Sequence, residues 1–362
     1  MQEIPALVTA GDRRAAKAVY GESKVYLELS GRALVVHTVL ELQWVAEISE
    51  VWVVGDAERL EAVFGVPDVR AEIVKPLHIV GQFRDLYENA WETFRRALPG
   101  AGESGRDPDG PRDDIPVLYL SADIPFATAQ EISLFVRRGL ETHCDFAFGL
   151  VTEQSMQAFG QVEPATVEPA TVEPSTEGAT PVGSDSDESR ANRPLGKPGI
   201  KMAYFNLLEG RYRTSNLHLV RPARIGNRSY IEEMFEHRYQ QQFGNIVGLA
   251  LRLVRKEEGG LPILYYYVLI HMAGLADRWG WRRVADRIRR WIPVKGIEDA
   301  ISGLLRADFR FVVTDVGGCA LDIDNQKDFD TAAKRFEDWK SEQRKRAARM
   351  YGALPSRPRI EP

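Results

Sequence analysis

Short apolar runs alternate with longer stretches of helical spacing over residues 1–150. The runs "ALVTAG" (6–11), "VWVVGD" (51–56), "EIVKP" (72–76), "PVLYLSAD" (116–123) and "FAFGLV" (146–151) each have the length and β-branched content of a buried strand. Between them, Leu34-Val35-His37-Thr38-Leu42-Val45 and Leu86-Ala90-Trp91-Phe94 have helical spacing. Such alternation predicts an α/β domain around a mostly parallel sheet. Strand pattern returns at 199–222 and at "FRFVVTD" (309–315), whereas 229–306 and the charged stretch 326–349 read as helical. Within the helical part, Trp281 to Trp291 places apolar residues at i, i+3, i+4 and i+7 with arginines opposite, a basic amphipathic helix.

Two segments break the pattern. "GAGESGRDPDGPRDD" (100–114) is a polar loop expected to be mobile. Residues 161–197 contain the repeat "VEPATVEPATVEPSTEG", whose Pro, Glu, Thr and Ser cannot bury enough apolar surface to offset ordering, so disorder is expected.

Composition narrows the class. The chain has 362 residues, 44% of them hydrophobic, and a net charge of -5, so it has a core and no general attraction to nucleic acid. Cys144 and Cys319 fit no metal-ligand spacing and suit a reducing compartment. No leader pattern is visible, and the longest apolar run, from Leu261 to about Ala273, is short of the roughly 20 residues that span a bilayer. A cytoplasmic protein is the expectation.

Three places can carry chemistry. In "VTAGDRRAAKAVYGESKVYLELSGRALVVHTV" (8–39) a strand ends at Ala10-Gly11 and enters a polar loop with Asp12, Arg13, Arg14 and Lys17, followed by Lys24. Small residues let backbone N–H groups approach a phosphate, and the cations neutralise it. In "SADIPFATAQEI" (121–132) Asp123 closes a buried strand before a helix start capped by Thr128, with Glu131 in position to reach back. In "LDIDNQKDFDTA" (321–332), Asp322 and Asp324 follow the last strand and Asn325 can begin a helix. Taken singly, each also reads as a turn or cap. Further along, Arg211, Arg213, His218, Arg221, Arg224 and Arg228 cluster in sequence, and His237 reads as a packed helix residue.

In this order the three pieces resemble the MobA-like nucleoside-triphosphate transferases. Lys24 matches that group's signature lysine, Gly31-Arg32-Ala33-Leu34 its following segment, "GQFRDLYENAWETF" (81–94) the stretch beside the nucleotide, "SADIP" its metal-binding Asp, and "DIDNQKDF" its distal motif. Two departures stand out: a single Gly11 where two or three glycines are usual, and Asn325-Gln326 where Thr-Pro is usual. The resemblance implies a three-layer, Rossmann-like, nucleotide-diphospho-sugar transferase-like domain with a mostly parallel mixed sheet and a helical insert.

It further implies a Mg²⁺-dependent nucleotidyltransferase that passes a nucleoside monophosphate from an NTP to a phosphorylated acceptor and releases pyrophosphate. Lys24 and Arg14 would be catalytic. Ala10, Gly11, Asp12, Arg13, Lys24, Gln82 and Asn89 would bind nucleotide. Asp123 and Asp324 would hold Mg²⁺, with Asp322 as the fallback. The anionic acceptor would meet Arg211, Arg213, His218 and Arg221. The organisation that follows is 1–160 for the nucleotide half, 161–197 for a disordered insertion, and 198–228 for acceptor-side strands. A helical insert at 229–306, a final strand and metal motif at 307–332 and a helix and tail at 333–362 complete it. The partners expected are an NTP and the acceptor and no nucleic acid; for 281–291 two readings stand, a helix packed on the body of the protein with its arginines exposed, or weak peripheral membrane contact. Two alternatives remain open: a family member without activity serving as a regulatory partner, and a glycosyltransferase on the related fold. The single carboxylate in Ser121-Ala122-Asp123 speaks against the latter.

Overall fold

The structure, a computed structural model, describes residues 2–11, 19–160, 199–200, 202–228 and 260–354. The Pro/Glu/Thr-rich segment 161–197 and His237 lie outside the described residues, as does the stretch 229–259 of the helical part.

The strands are β1 (Ile4–Ala10), β2 (Glu28–Leu29), β3 (Arg32–Ala33), β4 (Ile48–Gly55), β5 (Leu77–Gly81), β6 (Val117–Ser121), β7 (Phe146–Thr152), β8 (Phe205–Asn206), β9 (Arg211–Val220) and β10 (Phe309–Thr314). The helices are α1 (Leu34–Leu42), α2 (Ala57–Phe64), α3 (Pro67–Arg70), α4 (Leu86–Ala97), α5 (Ala129–Glu141), α6 (Glu153–Met156), α7 (Gly260–Arg278), α8 (Arg282–Arg289), α9 (Val294–Leu305) and α10 (Gln326–Tyr351).

The main sheet runs β10-β7-β9-β6-β1-β4-β5, with β8 appended to β9. Every pairing along that path is parallel except the two made by β9, which lies antiparallel between β6 and β7. The expected mostly parallel mixed α/β sheet is therefore what the chain forms. Strand alternation builds three layers. Ala6, Val8 and Ala10 of β1 join the core under α1 and α5, with Val35, Val39, Ile132 and Phe135. Leu7 points the other way and packs with Phe94 and Ala97 of α4.

Two expectations need correction. "EIVKP" is not the third strand: β5 begins after it, because Pro76 has no N–H for a ladder and instead accepts from Val51 N at 2.9 Å as the chain enters the sheet. The polar loop 100–114 is pinned rather than loose. Arg106 forks onto buried Asp113 with contacts of 2.7 and 2.5 Å and also donates to the Pro99 carbonyl at 3.0 Å.

Candidate active site

Parallel strands direct their C-terminal ends, and the loops that follow, to one edge of the sheet. Ala10-Gly11, Gly81-Gln82 and Asp123 reach that edge from β1, β5 and β6, and the loop after β10 brings Asp322 and Asp324. Because β9 runs the other way, its beginning, Arg211 to Arg213, arrives there too.

The Asp123 loop is held by α10. Lys340, buried, donates to the carbonyls of Pro125 and Ala127, each at 2.8 Å, and pairs with Glu41 of α1 at 2.9 Å. Glu41 also accepts from Ala129 N at 3.0 Å and from Arg344 at 3.2 Å. Burial pushes the Glu41 carboxyl up, but Lys340 and Arg344 outweigh it and the net displacement is downward. Ser121 donates to Asp123 itself. Lys340 was legible in principle: Ala332, Phe336, Trp339, Gln343 and Ala347 form the buried stripe of α10, and Lys340 falls on it.

Glu131 ties the second acidic loop to the first. Instead of reaching back to complete a capping box at Thr128, its buried carboxylate accepts from Thr314 Oγ1 at 2.8 Å, Gly317 N at 3.0 Å and Cys319 N at 3.2 Å. Gly318 makes the close approach possible, since a Cβ there would lie 2.0 Å from the Phe126 carbonyl oxygen. Arg213 then donates through Nε to the Ala320 carbonyl at 2.8 Å and through Nη2 to Asp322 at 2.8 Å. The Gly317-Gly318 pair beside an acidic motif was the sequence signal for this contact.

These supports bring together Lys24, Asp123, Asp322, Asp324 and Arg213. The Lys24 ammonium lies 2.5 Å from Asp123 Oδ2 and 2.9 Å from Asp324 Oδ1. Desolvation opposes its charge, yet the two carboxylates dominate and hold Lys24 well above the ordinary lysine range. Burial, then Asp123 and Asp324, push the Asp322 carboxyl up to about 6, whereas Asp324 is drawn down because Lys24 outweighs its burial. Three carboxylates thus face two cations.

Among the described residues no group of three or more His, Cys, Asp or Glu side chains is disposed to hold a metal by itself. Mg²⁺ does not require one, because one or two carboxylates plus phosphate oxygens and water complete its shell. Asp123 and Asp324 meet that need: both turn an oxygen toward one point, where the Lys24 ammonium now supplies the positive charge. The residues fit the ion on condition that Lys24 can turn aside.

On the other side of the edge, Gly11, Gln82 and Asn89 come together. A Cβ on Gly11 would stand 2.8 Å from Asn89 Nδ2 and 3.6 Å from Gln82 Oε1. Asn89, buried, accepts from Phe83 N at 2.6 Å, which sets the direction of the loop before α4. Ala10 closes β1 beside them. Asp12, Arg13 and Arg14 lie outside the described residues.

The arginine cluster does not form as expected. Arg211 pairs with Glu153 at 2.5 Å and stacks over Tyr204, and Arg213 joins Asp322, both at the active edge. Arg221 sits at the far end of the same strand, roughly 25 Å away at the usual rise per residue, where it donates to the Asp114 carbonyl at 2.9 Å. Arg224 joins Asp114 and Asp145 there, and Arg228 lies over Trp91. His218 packs against Phe148 in mid-sheet, ring centroids 4.6 Å apart, so it is a sheet residue and not part of the acidic group.

Neither a family model nor a curated protein sequence matches this chain. Among solved structures, one described as a hypothetical transferase from Thermus thermophilus is similar at 18% identity and a TM-score of 0.47, covering 90% of this chain and 99% of that one. 4-Diphosphocytidyl-2C-methyl-D-erythritol synthase from Anaerococcus prevotii is similar at 11% identity and a TM-score of 0.41, covering 93% and 99%. CMP:2-keto-3-deoxy-manno-octonic acid synthetase, complexed with CTP, is similar at 9% identity and a TM-score of 0.42, again covering 93% and 99%. At such scores the chemistry has to be read from this chain's own side chains.

Proposed function

We propose that the chain is a nucleotidyltransferase of MobA-like type that moves a nucleoside monophosphate from an NTP to a phosphorylated small-molecule acceptor. The observation that carries this reading is the meeting of Lys24, Asp123 and Asp324, contributed from three distant parts of the chain, at the C-terminal edge of the sheet. Asp123 and Asp324 would hold Mg²⁺, with Asp322 as the neighbouring carboxylate already engaged by Arg213. When bound, the ion would supply charge neutralisation at the phosphates.

The chain's own residues then bind and orient. Gly11 gives the nucleotide a close approach to the backbone, and Gln82 and Asn89 present amide groups beside it. Lys24 turns its ammonium from the carboxylates to the triphosphate, and Arg14 adds a second cation. An acceptor phosphate oxygen attacks the α-phosphorus in line, the new O–P bond forms as the α–β bridge breaks, and the pair of electrons leaves with pyrophosphate. Arg211, at the same edge, joined to half-buried Glu153 and lying over Tyr204, is placed to meet an anionic acceptor. Arg221 and His218 take no part, for the geometric reasons given above.

The test is transfer of label from an α-phosphate-labelled NTP to a pool of phosphorylated alcohols and sugars. Labelled acceptor with equimolar pyrophosphate is the expected product. Release of sugar from a nucleotide sugar, with no use of NTP, would favour glycosyl transfer instead.

A further inference from the structure

We infer that the helical hairpin α7–α8 is a docking surface for an anionic phospholipid bilayer, a role independent of the chemistry proposed above. Helix α7 carries no charged residue from Leu261 to Ala276. A helix apolar on all sides is normally buried on all sides. Here only part of it is: Ala273 and Ala276 are packed, whereas Leu261, Tyr265, Val268, Met272, Leu275 and Trp279 are all exposed. Those six recur at intervals of four and three and so form one continuous stripe along the helix.

The surroundings of the stripe identify its occupant. At its C-terminal end Trp279, 60% exposed, stands beside Trp281, 57% exposed, ring centroids 5.3 Å apart, and Trp291, 64% exposed, follows the end of α8. Tryptophan prefers the boundary between acyl chains and headgroups. Interleaved with them, Arg282, Arg283, Arg287 and Arg290 are exposed. Residues 279–295 hold five arginines and one lysine against one aspartate, a local net of +5 in a chain whose total is -5. A protein partner would need only the apolar stripe. An apolar face that ends in exposed tryptophans and runs on into an arginine-rich helix matches an interface in which phosphates overlie hydrocarbon. Among the described residues no helix is long and apolar enough to cross a membrane, so the contact is peripheral.

The hairpin is fastened to the active edge. Leu208 N donates to the Ile292 carbonyl at 3.0 Å, and Val294 N donates to Glu209 at 3.1 Å. Leu208 and Glu209 form the turn between β8 and β9, directly before Arg211 and Arg213. A bilayer on the hairpin would therefore lie beside the acceptor edge of the site.

The experiment is cosedimentation of the full chain with phosphatidylcholine vesicles, with and without phosphatidylglycerol, read together with tryptophan quenching by brominated lipid chains. Binding to the anionic vesicles only, weakened by salt, with quenching, is expected. Arg282→Glu/Arg283→Glu should reduce partitioning about tenfold or more, and Trp281→Ser/Trp291→Ser should remove most of the quenching. Circular dichroism checks that both variants stay folded. No binding at low salt, or binding indifferent to both variants, would overturn the proposal. So would tryptophans already shielded from acrylamide in the free protein, or a concentration-dependent dimer abolished by the Trp changes without any vesicle binding.

Discussion

Lys24 and Asp324 stand 2.9 Å apart across 300 residues of sequence, and the same ammonium also holds Asp123 at 2.5 Å. Lys24 is therefore both the cation of the resting site and the residue expected to meet the triphosphate. Lys24→Met should leave Asp123, only 5% exposed, as a buried carboxylate without its cation. Breaking such a pair costs on the order of 3 kcal/mol. Urea unfolding of the variant should show that loss, and nucleotide turnover should fall about a hundredfold or more. A variant as stable as the parent would mean that the pair is not formed.

Asp123→Ala removes a proposed metal ligand while leaving Asp324 to pair with Lys24. Turnover should drop about a hundredfold with the circular dichroism spectrum retained. Asp123→Asn should be nearly as inactive, because the amide keeps the shape and loses the charge. Pyrophosphate release against Mg²⁺ concentration is the measurement.

Two glycine substitutions separate tight from open backbone. Gly318→Ala would drive a methyl group to 2.0 Å from the Phe126 carbonyl, forcing apart the two loops that carry the acids. A loss of about 2 kcal/mol or more and a larger fall in turnover are expected. Gly303→Ala, inside α9 with nothing within 4 Å of the new carbon, should instead stabilise by about 0.5–1 kcal/mol. Thermal unfolding of the two variants side by side checks the contrast.

The acid limb of stability should depend on His37. Its ring nitrogen lies 2.9 Å from the Leu29 carbonyl. Burial is the main cause pushing its pKa down to about 4, with Lys340 and Arg32 adding and Leu29 and Glu41 opposing. An unfolded histidine titrates near 6.5. Between those values the unfolded chain binds a proton that the folded chain does not, so stability falls as pH drops from 6.5 toward 4. The total is about 3 kcal/mol. His37→Gln keeps a donor for Leu29 and should flatten that slope in denaturation curves taken across the window. An unchanged slope would place the titration elsewhere.

What could be read from the sequence was set by local chemistry. Asp123 was recognisable because an apolar run ended on it before a cap, and Asn325 does cap α10, accepting from Asp328 N at 3.0 Å. Strand direction leaves no such local mark. Arg213 and Arg221 look like neighbours in sequence, yet the length of β9 puts them at opposite edges of the sheet and its antiparallel sense decides that Arg213 is the one at the active edge. Glu131 looked like half of a capping box, and only the fold reveals that the loop after β10 offers its N–H groups to that carboxylate instead. Lys340 was hidden by its setting, one cation among many on a charged helix, although its position on the apolar stripe was the clue.

The central claim, a nucleotide site built on Lys24, Asp123 and Asp324, is tested most directly by a thermal-shift panel. CTP, GTP, UTP, ATP and dTTP would each be added with and without Mg²⁺ to the wild type and to Asp123→Ala. Binding to the folded state raises the midpoint by linkage. A Mg²⁺-dependent rise for one nucleotide, reduced in the variant, is the result this account predicts. No rise with any nucleotide, or a rise indifferent to both Mg²⁺ and Asp123→Ala, would contradict it and point to a regulatory partner on an α/β transferase-like scaffold.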